Sequence, residues 1–123
     1  AITAEPLAPV PFIAIIIGAI GGVVVVAGTA LLEKLKIDDV VGAIPVHMFA
    51  GIWGTLAVPL TNADTNFGAQ LIGVLSINVF MFAASFVIWT ILKSTVGIRV
   101  SDEAQRKGTD VAETGVVAYS IRD

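Results

Sequence analysis

The sequence is poor in cysteine and in charge. It contains no cysteine and a single histidine, and only 14% of its 123 residues are charged, against about 25% in an average soluble domain. The lack of cysteine excludes disulfides, thiolate metal sites and thiol nucleophiles. Seven Lys and Arg stand against ten Asp and Glu, for a net charge of -3. This is not the basic surplus that attracts nucleic acid, and we expect no nucleic-acid partner.

Hydrophobic residues make up 56% of the chain and form three runs without Asp, Glu, Lys or Arg. Residues 12–32 and 40–60 each give 21 such positions, and residues 65–92 give 28. A helix of 21 residues is roughly 31 Å long and spans a hydrocarbon core of about 30 Å. Soluble core helices are rarely apolar on every face, and strands of a membrane barrel alternate in polarity. We therefore predict an all-α membrane protein with three transmembrane helices.

The predicted transmembrane helices cover residues 11–33, 39–60 and 67–96. Pro11 suits a first helical turn, where its missing N–H costs nothing. The carboxylates of Asp38 and Asp39 precede the second run, and we predict that they cap this helix by accepting first-turn N–H groups. The first run is too long for a signal peptide and lacks a basic leader.

The basic residues predict the orientation in the bilayer. Two of them lie between the first and second runs, five follow the third run, and none lies between the second and third runs. All seven therefore fall on one side, which the positive-inside rule assigns to the cytoplasm. We predict a multi-pass protein of the cell membrane, with an extracellular lead-in at residues 1–10 and a cytosolic tail at residues 97–123.

His47 is the only ionisable residue of the second run and lies roughly 10 Å from its start. At helical spacing it shares a groove of small residues with Ala43, Ala50, Gly51 and Gly54, which either line a pore or pack against further helices. The neutral imidazole, favoured in lipid, has one N–H donor and one bare nitrogen acceptor. This chemistry suits the passage of a small polar solute or of protons. A structural histidine and a haem ligand are the alternatives, but the chain has no other histidine to supply a second axial ligand.

Other candidate residues carry weaker signals. Trp53 and Trp89 either line a lumen or take packing and interfacial positions, and Asn78 suits an interhelical hydrogen bond. Glu5 either attracts cations to the outer mouth or is a solvated surface carboxylate. The sequence has no catalytic triad, carboxylate pair, phosphate loop or metal cluster, so we expect no enzymatic activity, no metal and no cofactor.

The tail changes character after residue 96 and becomes polar. Asp102 and Gln105 have the spacing of a capping box, as do Asp110 and Glu113, and a glycine follows each pair. This pattern is compatible with two short helical turns, and a simple solvated tail is the alternative.

Taken together, these segments resemble a known membrane family. Residues 37–60, IDDVVGAIPVHMFAGIWGTLAVPL, and residues 97–119, GIRVSDEAQRKGTDVAETGVVAY, are similar to the C-terminal part of the Amt family of ammonium transporters. The paired acidic residues, the V-H pair, G-I-W-G and G-I-R-V-S occur in the family's order and spacing. The lead-in AITAEP resembles the end of the preceding helix in that family.

The resemblance implies a homotrimer whose subunits have eleven spanning helices and one pore each, with this chain supplying the last three helices. It implies that ammonium is recruited and deprotonated at the outer mouth, and that ammonia passes a hydrophobic pore in which His47 matches the second of two histidines. Bacterial members are often blocked by a PII-type nitrogen regulator that binds the cytosolic side. The residues that fit the family's regulatory tail are Arg99, Ser101, Glu103, Gly108, Asp110, Gly115 and Tyr119.

Four positions depart from the family pattern. Met48 stands where a glycine usually follows the histidine, and Pro45 replaces a small residue. Thr114 and Val116 replace the usual His and Glu of the tail. A non-transporting ammonium sensor and a purely structural membrane subunit are the alternatives to transport.

Overall fold

The computed structural model describes residues 1–5 and 10–118, which contain helices and no strand. A 3-10 turn at Ile2–Ala4 comes first, and a π-helix at Ile44–Phe49 and a 3-10 turn at Val58–Leu60 flank the second α-helix. The chain divides into two compact units, Ala1–Met81 and Phe82–Asp123. The α-helices are α1 (Pro11–Lys34), α2 (Ala50–Ala57), α3 (Phe67–Thr95), α4 (Asp102–Lys107) and α5 (Thr109–Thr114).

Two of these helices, α1 and α3, are long and apolar enough to cross a membrane. They contain 24 and 29 residues, or roughly 36 and 44 Å of helix, and both exceed a hydrocarbon core of about 30 Å. Pro11 occupies the first position of α1. At the start of α3, Asn66 Oδ1 accepts the N–H groups of Gly68 and Ala69. The described chain is thus a helical membrane-type protein with at least two segments of spanning length.

The middle segment is shorter than the predicted helix at residues 39–60. Its helical residues run continuously from Ile44 to Leu60, which gives roughly 25 Å at α-helical rise. A turn precedes them, in which Lys36 and Gly42 have positive φ values of 57° and 69°. Left-handed backbone does not continue a helix, so no regular helix passes through Gly42, although Val40 and Val41 before it belong to the apolar run. A third span therefore rests on this shorter segment and stays a prediction.

A single carboxylate begins the middle segment. The Oδ1 and Oδ2 atoms of Asp39 accept the N–H groups of Ala43 and Ile44 at 2.8 and 2.7 Å. First-turn N–H groups have no intrahelical acceptor, so this side chain supplies the missing partners. The neighbouring Asp38 is exposed and has no hydrogen bond within the described part of the chain. Of the two aspartates, Asp39 is the one in capping contact.

We expect Asp39→Ala to lower the free energy of unfolding by about 1–2 kcal/mol, because two N–H groups lose their acceptor. Asp38→Ala is the matched control, and as an exposed substitution it should change stability by less than about 0.5 kcal/mol. Denaturant unfolding of the full-length protein, followed by circular dichroism, measures both. Equal losses in the two variants would contradict the assignment of the cap to Asp39.

The core of the first unit lies between α1 and the middle segment. Gly28 of α1 faces Phe49 and Pro45, because a Cβ built on Gly28 would lie 2.6 Å from Phe49 Cδ2 and 3.1 Å from Pro45 Cβ. Pro45 is fully buried at this contact. One turn after the π-helix, the Trp53 indole N–H donates to the Ile17 carbonyl of α1 at 3.0 Å. Close backbone approach and one interhelical hydrogen bond therefore hold the two elements together.

The π-helix places His47 in a wide turn. The N–H of Ala50 is shared between the carbonyls of His47 and Pro45, and the second of these lies five residues back. Pro45 has no N–H to give to an α-helical ladder, which favours a departure from regular bonding at this point. Short π-helical turns are rare and often lie at functional sites.

The capping boxes predicted in the tail are wrong. Ser101 is the cap of α4, since its Oγ accepts a first-turn N–H at 3.2 Å and its backbone is extended (φ −61°, ψ 153°). Asp102 already has helical backbone and cannot take that position. At α5 the cap position falls on Gly108, and Asp110 Oδ2 instead accepts the N–H of Ala118 at 2.8 Å.

Candidate functional site around His47

The side chain of His47 is exposed and lines two clefts. No hydrogen bond to the ring occurs within residues 1–5 and 10–118. Both ring nitrogens are therefore open to a solute or to helices supplied from outside this chain. Gly51 and Thr55 follow His47 by one and two helical turns and line both clefts with it.

The first cleft, here called the lead-in cleft, has a volume of about 370 Å³. It lies between the 3-10 turn at Ile2–Ala4 and the middle segment, and Thr3 and Ala4 form its far wall. No Cβ occupies the space at Gly51, and one built there would meet nothing within 4 Å. This cleft thus combines an imidazole and two threonines with Val46, two alanines and Gly51.

The second cleft, here called the α3 cleft, has a volume of about 350 Å³. Bulky apolar residues of the middle segment and of α3 contribute to its walls, among them Met48, Ile52 and Ile77. Two amides, Gln70 and Asn78, also line it. It is therefore more apolar than the lead-in cleft, but it also offers hydrogen-bonding groups.

The predicted groove of small residues forms only in part around His47. Gly51 lines both clefts, whereas Ala50 is 4% exposed and Gly54 is buried. Gly54 packs against the lead-in, because a Cβ built on it would lie 2.7 Å from the Cα of Ala1. Ala43 is exposed at the start of the segment. The π-helical turn changes the angular spacing, so α-helical counting from His47 does not place all four residues on its face.

Other predicted candidates take packing positions. Trp53 donates to a carbonyl of α1 and lines neither cleft. Asn78 donates to the Val74 carbonyl of its own helix at 2.8 Å, rather than to another helix. Glu5 is half-buried and accepts a hydrogen bond from Asn62 Nδ2 at 2.8 Å. Glu5 is therefore held to the loop before α3 and is not a freely solvated carboxylate.

Three polar residues of the clefts were not predicted from the sequence. Thr55 follows His47 by eight positions and thus carries a detectable helical signal. Thr3 and Gln70 reach the clefts from other elements. Only the three-dimensional arrangement places these two near the histidine.

The predicted tail residues stabilise the tail helices themselves. Glu103 pairs with Lys107 at 2.6 Å, and both side chains are exposed. Gly108 and Gly115 have φ values of 93° and 70° and end α4 and α5. Tyr119 lies outside the described residues. These contacts fix the local fold of the tail and leave its role in regulation as a prediction.

Comparison with known proteins gives matches along most of the chain. The model of the Ammonium Transporter Family matches residues 1–119. An ammonium transporter of Archaeoglobus fulgidus is 37% identical, with 97% of this chain and 30% of that protein covered. An ammonium transporter of Haloferax mediterranei is 36% identical, with 85% of this chain and 21% of that protein covered. One of Methanocaldococcus jannaschii is 38% identical, with 72% of this chain and 24% of that protein covered. The chain thus spans less than a third of the length of these relatives, and it belongs to the ammonium transporter family.

Proposed function

We propose that this chain is the C-terminal portion of an ammonium transporter and contributes His47 to the wall of its pore. The observation that carries the proposal is the position of the ring, which lines two clefts and has no hydrogen-bond partner in the described part of the chain. Membership of the family supports ammonium as the substrate. The remaining helices and a second pore histidine are to be supplied by the part of the transporter outside this chain.

The proposed chemistry follows from the cost of burying charge. An ion pays a far larger free-energy penalty than a neutral polar molecule on entering an apolar passage, so ammonium transfers a proton to water at the outer mouth and neutral ammonia continues. The bare nitrogen of the His47 imidazole accepts a hydrogen bond from one ammonia molecule, and the ring N–H, which points away from it, donates to the lone pair of another. An alkali cation has no proton to lose and retains the full desolvation cost. Selectivity then arises without a charged filter.

We place the conduction path along the lead-in cleft. Besides Ala1 and Val46, its wall beside His47 includes Ala4, Gly51 and the hydroxyl-bearing Thr3 and Thr55. The α3 cleft has a similar volume but is lined by longer apolar side chains. A passage for a molecule as small as ammonia needs free volume next to its hydrogen-bonding groups, and the lead-in cleft provides both.

The proposal extends to the assembly. All three helical segments cross the cell membrane, the tail lies on the cytosolic side, and three subunits form a homotrimer. A PII-type regulator acting on the tail would be the cytosolic partner. These features rest on the family resemblance and on the distribution of Lys and Arg.

Filling the space beside His47 tests the proposed path. We expect Gly51→Leu in the full-length transporter to reduce ammonium uptake at least about tenfold, because the new side chain enters both clefts at the level of the ring. Gly18→Leu is the matched control, since a Cβ at Gly18 also meets nothing within 4 Å and Gly18 lines neither cleft. Uptake of labelled methylammonium, normalised to the amount of folded protein, measures the effect.

Two further variants separate the clefts. Ala4→Leu fills only the lead-in cleft and should reduce uptake, whereas Gly73→Leu fills only the α3 cleft and should leave uptake near the wild-type rate. The reverse result would move the path to the α3 cleft. Wild-type uptake by folded Gly51→Leu protein would overturn the pore assignment altogether.

A further inference from the structure

We propose that the end of α3 carries a binding site for an anionic phospholipid, formed by Phe82, Phe86, Trp89 and Lys93. This inference concerns residues other than those of the clefts around His47, and it goes beyond the proposed transport function. The acyl chain would lie along the three aromatic rings, and the phosphate would contact the Lys93 ammonium group. All four residues belong to the second compact unit.

The four side chains form one stripe on the helix. Their spacing of four, three and four residues keeps them within about 60° of one another around the axis. The rings of Phe82 and Phe86 stack with centroids 6.3 Å apart and an interplanar angle of 18°. The chain turns after α3 at Gly97, which has a φ of 82°. The next residue, Ile98, lines a groove of about 400 Å³ together with the stripe. Ser85 and Thr90 also line it, so the groove is aromatic and apolar with two hydroxyl-bearing residues and one ammonium group.

The length of the stripe matches the depth of one lipid leaflet. Lys93 is the first charged residue after the 28-residue apolar run. Phe82 lies eleven residues before it, which is roughly 16 Å of helix and about half of a 30 Å hydrocarbon core. Trp and Lys are typical of the membrane interface, so Trp89 and Lys93 mark the headgroup level. The groove then lies at the depth of an acyl chain.

Charge favours an anionic headgroup as the occupant. Lys93 is exposed and has no carboxylate partner among the residues that the structure describes, in contrast to Lys107, which pairs with Glu103. Arg99 adds a second exposed cation six positions later. Anionic lipids are concentrated in the cytoplasmic leaflet, and the positive-inside pattern predicts that this end of α3 is cytosolic. A zwitterionic lipid would bring a cation of its own beside Lys93.

Native mass spectrometry of the purified full-length transporter tests the headgroup. Titration with phosphatidylglycerol should give at least about fivefold tighter binding than titration with phosphatidylcholine, the factor expected for one basic residue near a lipid phosphate. Lys93→Gln should remove this preference. Lys34→Gln is the matched control, because Lys34 is also exposed at the end of a spanning helix but lies outside the groove, and it should retain the preference. Retention by Lys93→Gln would overturn the proposal.

Fluorescence quenching tests the groove separately. The fluorescence of Trp89 is the part of the emission that the Trp89→Phe variant lacks. Phosphatidylglycerol with brominated acyl chains should quench this fluorescence, and Phe86→Ala should weaken the quenching. Absence of quenching at Trp89 would show that a helix from elsewhere in the transporter, or a second subunit, covers the groove. Displacement of the lipid by millimolar inorganic phosphate would show a site for phosphate alone. Either outcome would overturn a phospholipid site.

Discussion

Replacing His47 with alanine in the full-length transporter is expected to reduce ammonium uptake at least about tenfold. Ammonia in the lead-in cleft would lose both the hydrogen-bond donor and the hydrogen-bond acceptor of the ring, at the depth of the membrane where ammonia is least hydrated. A hydrogen bond lost in a buried site costs about 1–3 kcal/mol, and about 1.4 kcal/mol corresponds to a tenfold change in rate. Uptake of labelled methylammonium by cells without another ammonium transporter measures the change.

Two control variants separate the possible roles of the ring. Met48→Leu alters the next residue, which lines only the α3 cleft, and should leave uptake unchanged. His47→Gln keeps a donor and an acceptor but cannot carry a proton at neutral pH, so retained uptake with a lost transport current would assign the ring to proton transfer. Wild-type uptake by His47→Ala, together with reduced thermal stability, would instead identify a structural histidine and contradict the pore role.

Replacing Gly54 with alanine is expected to destabilise the lead-in contact by about 1–3 kcal/mol. The added Cβ would lie 2.6 Å from the carbonyl carbon and 2.7 Å from the Cα of Ala1. Both are backbone atoms, which cannot rotate away as a side chain does, so one of the two elements must move. The thermal midpoint of the full-length protein in detergent measures the loss.

Gly51→Ala is the matched control for this prediction. Gly51 lies one turn earlier in α2, and a Cβ there meets nothing within 4 Å. We expect this variant to keep the wild-type midpoint or to raise it slightly, because alanine favours the helix more than glycine does. Gly28→Ala should fall between the two, since the ring of Phe49 can turn aside, although Pro45 cannot. Identical midpoints for Gly54→Ala and Gly51→Ala would rule out close packing of the lead-in against Gly54.

The two long helices are visible in the sequence because hydropathy alone determines them. Long uncharged runs cannot remain in water, and Pro11 and Asn66 mark where the helices begin. The turn before the middle segment is hidden, because Val40 and Val41 lie in it and continue the apolar run. The start of the middle segment is determined by the positive φ of Gly42 and by the two hydrogen bonds that Asp39 accepts. Neither feature affects the hydropathy of the sequence.

The candidate site could be predicted only where residues are close in sequence. His47 stands out as the ionisable member of an apolar run, and Gly51 follows from helical spacing. Thr3 could not be found in this way, because the packing of the lead-in against Gly54 brings it to the cleft. The cap of α4 was predicted one residue too late, at Asp102. A cap residue requires extended backbone, which Ser101 has and the helical Asp102 does not.

The π-helix at Ile44–Phe49 makes the direction of the imidazole depend on the number of residues in this stretch. A π-helical turn holds one residue more than an α-helical turn. Deleting one residue there would restore regular bonding and change the angular positions of the residues inside this turn, His47 among them. The apolar composition would hardly change, yet His47 would aim away from one or both cavities. In relatives, an insertion or deletion at this point would therefore alter permeation more than most conservative exchanges nearby.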